Sequence, residues 1–374
     1  MYWLCALPLL DSKDRTWNLL QQKTTYDNDM SINYRFELPE LRIGTLDSLM
    51  VLSDDLVKVN GLMEAVVNKI RRQLFEMQSL AASEDKDPQE VLVEGVPPDN
   101  YLERFTWDEA KYPPRRPLQE TVSTLTETVQ KLEDDLKVRV SEYNQLKGQV
   151  NQQNRKATGS LAVRDLSGLV SSKDIISTEN LVTLFVVVSK HSKLEWQSSY
   201  EKFCEFVVPR SSKAVAEDND NALFTVTLFR RVADTFKTAA RTRGFQVREY
   251  EYDADHQQES KAAGESLRSE TQSKRSQLEE WSAIAYGEAF SAWIHTCAVR
   301  LFTESILRYG LPPQFLGVLM KPNNKAQAKL RKCLAAVFAS QGADKYFDDK
   351  DASGVAGAEG EMYPYVSFSI SIDS

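Results

Sequence analysis

Between Thr121 and Lys156 apolar residues return in steps of three and four: Val122, Leu125, Val129, Leu132, Leu136, Tyr143, Leu146 and Val150. This is a coiled-coil seam with eight of ten a and d positions apolar, Arg139 and Gln153 being the exceptions. The stretch has no Pro and one Gly, Gly148. The spacing therefore predicts one unbroken helix, roughly 54 Å long at ~1.5 Å per residue. That exceeds the width of a compact domain of this size, so the helix is expected to protrude as a lever, spacer or stalk. A second Pro-free helical stretch is expected from Asp253 to Tyr309. Its seam is poorer: Leu267, Leu278, Trp281 and Ala285 fit it, but Thr271 and Lys274 also fall on it, and Gly264 weakens the helix. From Trp281 to Leu307 it turns apolar on most sides, with Ile284, Phe290, Trp293, Ile294, Val299, Leu301, Phe302 and Ile306, the pattern of a helix inside a core.

Shorter periods organise the rest. Met1 to Leu7 and Tyr34 to Leu38 read as strands, with a helix from Asp11 to Lys23 between them. Thr45 is placed to cap a helix with Leu46, Leu49, Met50 and Leu56 on one face. A second helix is expected from about Asn60, burying Leu62, Val66, Ile70, Leu74 and Met77, followed by a polar loop at Ala81 to Gln89. Val91 to Val96 and Tyr101 to Trp107 read as strands, and Pro113, Pro114 and Pro117 stop everything before the first arm. Beyond it, LVTLFVVV, inside Asn180 to Ser189, is apolar on both faces and suits a central strand. Leu194 to Phe203 reads as helix, Leu223 to Phe229 as strand and Arg231 to Thr242 as helix. Gly244 turns the chain into Phe245 to Tyr250. Near the end, Lys325 to Ser340 is an amphipathic helix, Gly342 to Glu361 is polar, and Val366, Phe368, Ile370 and Ile372 alternate with serines as in a half-buried strand.

If the two arms pack antiparallel, both chain ends return to the same place. The expected fold is mixed α+β, an elongated dumbbell: two globular α/β domains, a head and a discontinuous foot, joined by long antiparallel neck helices. The expected boundaries are 1–117 for the N-terminal part of the foot, 118–157 for the first neck helix, 158–252 for the head, 253–284 for the second neck helix and 285–374 for the C-terminal part of the foot.

A length of 374 residues, 42% hydrophobic and 27% charged, is ordinary for a globular protein of two or more domains. A net charge of −8 argues against nucleic acid as a partner. The basic pairs Arg71-Arg72, Arg115-Arg116 and Arg230-Arg231 have acidic neighbours and read as solvated faces. Cys5, Cys204, Cys297 and Cys333 are far apart, with no C-x-x-C, as for free thiols in a reducing compartment. Met1 to Leu10 is apolar, but it lacks a basic n-region and is interrupted by Pro8, so it reads as a buried strand. No apolar run approaches the roughly 18 residues of a membrane span. The expectation is a cytoplasmic protein without direct membrane insertion.

Candidate chemistry is sparse, and no catalytic, cofactor-binding or metal-binding residue is assigned. There is no G-x-x-x-x-G-K-[ST] phosphate cradle and no G-x-S-x-G elbow. Gly354, Gly357 and Gly360 have the wrong spacing for a dinucleotide loop. His191, His256 and His295 belong to no metal motif, and each reads as a core or capping residue. Asp349 to Gly354 resembles the start of a calcium loop, but Gly360 stands where the bidentate Glu is needed. Lys111 to Pro117 reads as a linker first and a recognition segment second.

Several segments carry a family resemblance: Arg42-Ile43-Gly44-Thr45-Leu46-Asp47-Ser48-Leu49, Tyr101 through Pro113 (YLERFTWDEAKYP), Glu133 through Val140 and Gly159 through Leu166. Val207 to Ser212, Tyr309 to Pro313 and Pro364 to Phe368 extend it. With these residues the chain resembles the C subunit family of the V-type (vacuolar) proton ATPase over nearly its whole length. The resemblance implies a stator component with a foot built from both chain ends, a head from the middle and long neck helices. It implies a cytoplasmic position between the ATP-hydrolysing sector and the proton channel, on vacuolar and endosomal membranes. The head would bind a peripheral stalk made of the E and G subunits. The foot would meet a second such stalk and the cytosolic domain of the membrane-bound a subunit. The protein would leave when the sectors separate, and some members bind actin. The expected role is therefore non-catalytic, with regulation of reversible assembly. The alternatives are a coiled-coil adaptor or actin cross-linker, which actin co-sedimentation without ATPase subunits would favour, and a transferase with an unrecognised site, which a deep pocket lined by titratable residues would favour.

A 54 Å arm spans the full diameter of a compact 374-residue sphere, whose radius of gyration would be ~21 Å. Small-angle scattering of the isolated protein is expected to give a clearly larger value. A result near the compact figure refutes the dumbbell.

Overall fold

The computed structural model describes residues 1–82, 91–167, 169–250, 254–342 and 363–372. Among the described residues it is a mixed helix and sheet protein with two four-stranded antiparallel sheets and three helices longer than 35 residues. The chain forms two compact units. Unit 1 is Met1–Val140 with Ser276–Ser374, and unit 2 is Ser141–Arg275.

Unit 1 begins with β1 (Tyr2–Pro8), α1 (Lys13–Gln21) and β2 (Ser31–Arg35). It continues with α2 (Leu46–Ala82), the short α3 (Pro98–Glu103) and the first part of α4 (Leu118–Thr158). Unit 2 holds the rest of α4, then β3 (Leu181–Ser189), α5 (Lys193–Ser199), β4 (Lys213–Glu217), β5 (Asn221–Phe229), α6 (Ala233–Thr242) and β6 (Gln246–Arg248). α7 (Ala254–Tyr309) begins in unit 2 and ends in unit 1, where β7 (Phe315–Pro322), α8 (Gln327–Gly342) and β8 (Val366–Ile370) follow.

The sheet of unit 1 has the order β2-β7-β1-β8, with Cys5 opposite Val318 and Leu4 opposite Phe368. β1 is buried along its whole length, because it pairs on both edges and is covered on both faces. Trp3, Cys5, Leu7, Leu316, Val318 and Met320 pack against Leu20 of α1 and Leu330, Leu334 and Phe338 of α8. α7 approaches the opposite face, where Arg300 lies 4.5 Å over the Phe368 ring. A Cβ on Gly317 of β7 would sit 2.4 Å from the Phe36 carbonyl oxygen, so glycine is what lets the backbone continue beside β2.

The sheet of unit 2 has the order β4-β5-β3-β6. Trp196 of α5 and Phe236 of α6 pack with Phe224, Val186 and Val226 on one face, while Leu161, Leu166 and Val170 cover Phe185, Val187 and Leu223 on the other. Read as strand-helix-strand twice over, each sheet has the split βαββαβ arrangement. In unit 1 the second and third strands of that pattern, β2 and β7, are separated by more than half the chain.

The predicted seam of α4 is buried at Val122, Leu125, Val129, Leu132, Leu136 and Tyr143 and half-buried at Leu146 and Val150. Both exceptions face α7: Arg139 stacks 5.0 Å over Trp281, and Gln153 Oε1 lies 3.6 Å from where a Cβ on Gly264 would be. Within unit 2, Glu142 pairs with Lys274 at 2.9 Å and Asn154 accepts from Arg268 at 2.9 Å. As α4 advances, its partner on α7 retreats, so the two are antiparallel there.

Several expectations change. Thr45 Oγ1 does accept from the Ser48 amide at 3.3 Å, but the buried face is Leu49, Leu52 and Leu56, with Leu46 and Met50 more than half exposed. No second helix begins near Asn60, since α2 runs through it. The Asn60 side chain is buried and accepts from Trp293 Nε1 and Cys297 Sγ, both at 3.0 Å, so tertiary bonds replace the turn that Asn would otherwise favour. Leu62 points outward, while Val66, Ile70, Leu74 and Met77 are buried as expected. Ala81 and Ala82 continue α2, and the rest of the polar loop lies outside the described residues. Val91 to Val96 reduces to a bridge between Val93 and Val96 around Glu94 and Gly95, both at positive φ. Tyr101 to Trp107 is not a strand: Pro98 opens α3, which buries Tyr101 and Leu102. The second strand runs at 31–35 rather than 34–38. Ile284 is exposed although it sits in the apolar half of α7. β4 and β7 have no counterpart in the sequence reading.

Leu136 is almost fully buried on the seam, whereas Val138 beside it is 58% exposed. Leu136→Asp is expected to lower stability by about 3 kcal/mol or more, and Val138→Asp by about 0.5 kcal/mol or less. Thermal or denaturant unfolding of the two variants checks this; equal effects would mean the seam carries no packing.

Candidate interaction surfaces

The YLERFTWDEAKYP segment is fixed by both of its ends. At the first, the Tyr2 hydroxyl on β1 donates toward Asp99 Oδ1 (2.5 Å) and Glu103 Oε1 (2.9 Å) of α3 and accepts from Lys321 Nζ of β7 (2.8 Å). Burial, and then the two carboxylates, push the Tyr2 phenol far above its ordinary range. The cluster therefore staples α3 to two strands, and the Tyr2 phenol keeps its proton at neutral pH. At the second end, His295 of α7 is fully buried. Its Nδ1 donates to the Ser291 carbonyl at 2.8 Å, and its Nε2 accepts the Asp108 amide at 3.1 Å. Phe105, Trp107 and Tyr112 surround the ring with centroids at 5.0, 5.0 and 4.9 Å. Burial lowers its pKa to about 4, against smaller raising contributions from the Ser291 hydrogen bond and Asp108. It is a neutral core residue with both nitrogens committed, as expected of it.

A cleft of about 450 Å³ borders this segment, lined by Leu92, Glu94, Lys111, Ile284, Glu288 and Ser291 among others. It is the kind of feature that would favour an enzyme, but its polar groups are paired with one another. Lys111 lies 3.4 Å from Glu288, and Ser291 Oγ is 2.8 Å from Tyr101 Oη and 3.3 Å from Glu94 Oε1. The neighbouring imidazole is bound at both nitrogens, so it cannot activate the Ser291 hydroxyl.

The remaining candidates do not converge. Arg71 donates to the Ile372 carbonyl and lies 5.3 Å over Phe75, and Arg72 bonds its own helix at Asn68. Arg115 and Arg116 are exposed before α4. Arg230 donates to Ser177 and Thr178, while Arg231 lies 3.9 Å over the Phe206 ring. His191 is exposed after β3, and the His256 side chain lies outside the described residues. The four thiols are free. Burial pushes Cys5 up to about 12 and raises Cys204, Cys297 and Cys333, so all are weak nucleophiles. The calcium-like loop at 349–354 and the glycines at 354, 357 and 360 lie outside the described residues. Among the described residues no group of three or more His, Cys, Asp or Glu side chains could hold a metal ion.

Residues 2–366 match the family model of the V-ATPase C subunit. The chain belongs to the V-ATPase C subunit family. It is 48% identical to the V-type proton ATPase C subunit of Arabidopsis thaliana over 99% of both chains. It is 38% identical to the C 1-A subunit of Danio rerio, over 99% of this chain and 97% of that one, and equally to the C 1 subunit of Bos taurus. Among solved structures it aligns with the cytoplasmic N-terminal domain of the V-ATPase I subunit, a homolog of the a subunit, at 11% identity. The alignment covers 90% of this chain and 98% of that one, with a TM-score of 0.26, too low to carry an argument. As a member of this family the chain is a component of a proton-transporting machine. None of its described helices is long and apolar enough to cross a membrane.

The stability of the chain is expected to depend on pH through His295. The unfolded side chain takes up its proton near pH 6.5 and the folded one only near about 4. The neutral imidazole thus stabilises fully above pH 6.5, and the contribution is lost as pH falls toward 4. Between pH 7.5 and 5 this amounts to about 2 kcal/mol. Urea unfolding is expected to show wild type losing that much more than His295→Gln over the same interval; parallel losses would contradict it.

Proposed function

We propose that the chain is a non-catalytic peripheral stator component of the vacuolar proton-pumping ATPase. In this reading unit 2 binds a peripheral stalk made of the E and G subunits. Unit 1 meets a second stalk and the cytosolic domain of the a subunit. The chain sits in the cytoplasm, held on vacuolar or endosomal membranes through the complex. The observation that carries the reading is the pair of separate compact units, each with its own sheet buried on both faces. Each unit has its own core and a surface of its own to offer a partner. The family matches supply the complex in which those surfaces would be used.

A stator must resist torque, and a regulated one must also come off. Two moderate contacts on one chain satisfy both demands. Together they gain avidity through effective concentration, and loss of either releases the whole. This is the physical basis proposed here for control of reversible assembly.

Cells lacking the chain are expected to keep the other ATPase subunits but to lose the coupling of ATP hydrolysis to proton pumping. Full-length chain should restore vacuolar acidification, measured with a pH-sensitive dye, and residues 158–252 alone should not. Restoration by that piece would contradict the two-ended clamp.

A further inference from the structure

Unit 2 contains an internal structural repeat. β3, the 3-10 turn at 190–192 and α5 begin at residues 181, 190 and 193. β5, the 3-10 turn at 230–232 and α6 begin at 221, 230 and 233, an offset of 40 residues each time. Trp196 and Phe236, the buried anchors of the two helices, obey the same offset. The side chains at the strand-to-helix corner do not. Phe229 and Arg231 stand where the first copy has Ser189 and His191, and Phe206, before the segment that pairs with β5, stands 40 residues ahead of Gln246.

At the second corner the three differing residues form one cluster. The Phe206 and Phe229 rings meet edge to face at 5.9 Å. The Arg231 guanidinium lies 3.9 Å over the first ring and 5.9 Å from the second. Phe206 is 48% exposed and Phe229 38%. Phe206 also holds φ +69, the left-handed region that a bulky side chain avoids. The first copy builds the same strand, turn and helix with Ser189 and His191, so Phe229 and Arg231 are not what the fold requires. Strain retained at an exposed aromatic residue marks a surface kept for contact. Among the described residues neither Arg230 nor Arg231 has a carboxylate partner, and Arg230 is held only by Ser177 and Thr178. Exposed rings beside unneutralised guanidinium groups are enriched at the centres of protein interfaces.

We propose that the Phe206–Phe229–Arg231 corner is the contact through which unit 2 engages an acidic, apolar segment of a peripheral stalk. The proposal rests on the stator reading above and adds the surface and its chemistry. The rings supply apolar area to the partner, and Arg231, already oriented by stacking on Phe206, supplies a bidentate donor for a carboxylate.

Calorimetric titration of full-length chain with purified E–G heterodimer tests this, using Arg231→Glu and Phe206→Gly against His191→Glu and Gln246→Ser, the positions 40 residues away from each. Arg231→Glu and Phe206→Gly are each expected to weaken binding at least tenfold, and the other two less than twofold. Glycine tolerates φ +69, so Phe206→Gly is expected to melt no lower than wild type while binding worse, a combination that a structural role would not produce. Binding within twofold of wild type by Arg231→Glu and Phe206→Gly overturns the proposal and leaves the stator reading standing, as does a lowered melting temperature for Phe206→Gly. A wild-type chain that does not bind the heterodimer overturns both.

Discussion

The second half of α7 is the constraint on which unit 1 depends. From Ala285 to Ile306 it is buried on almost every side. Trp293 and Cys297 hold Asn60 of α2, His295 holds the backbone at Asp108, Arg300 covers Phe368 of β8, and Val299, Phe302 and Ile306 pack with Leu118 and Val122 at the start of α4. A helix of this kind cannot be solvated and cannot be left without partners, because its apolar surface faces all directions. Both ends of the chain must therefore be present for it to fold. The same requirement explains why β1, at the start of the chain, finds both of its strand partners more than 300 residues later.

Several polar groups inside this core are held by pairing, while among the described residues Trp3 Nε1 and the Tyr112, Ser282, Thr303 and Tyr365 hydroxyls are buried without a hydrogen-bond partner. Asn60, His295 and Tyr101 are each buried beside partners of opposite hydrogen-bonding character, and Tyr2 is held by two carboxylates and a lysine at the core's edge. Each is a group that catalysis could have used, and each is committed to holding one element against another. In the cleft, Lys111 pairs with Glu288, and the Ser291 hydroxyl is bonded to Tyr101 and Glu94. The Phe206–Phe229–Arg231 corner of unit 2 differs from these groups in facing outward.

Long periodic elements were legible in the sequence because their signal accumulates over many turns. The seam of α4 is one case, and even its two exceptions found partners, Arg139 on Trp281 and Gln153 beside Gly264. The continuous apolar run of β3 was another, since a strand buried on both faces has no alternation to obscure it. Short elements failed for identifiable reasons. β7 is an apolar run broken by Gly317 and closed by Pro322, and nothing local shows that its partners are β1 and β2. β4, Lys-Ala-Val-Ala-Glu, is a bulged edge strand with little buried surface, so its sequence carries almost no pattern. Tyr101 to Trp107 looked like a strand because its aromatics are β-formers, but Pro98 and the docking of Tyr2 on Asp99 and Glu103 made its first part a helix. The βαββαβ order of both sheets is a property of long-range pairing, invisible in any local window. For the candidate surfaces, Arg231 read as half of a solvated basic pair, and Phe206 fell in no predicted element. Only the 40-residue offset between the two strand-to-helix corners sets Phe229 and Arg231 apart.

The central claim is that two separate units of one chain hold two different partners. Cross-linking mass spectrometry of the assembled ATPase tests it most directly, through exposed lysines of each unit. Lys190, Lys202 and Lys213 belong to unit 2, and Lys58, Lys111 and Lys329 to unit 1. The account predicts cross-links from the first group to one E–G stalk, and from the second group to the a subunit and to a different copy of that stalk. Cross-links from the second group that never reach the a subunit, or from one group only, would contradict it.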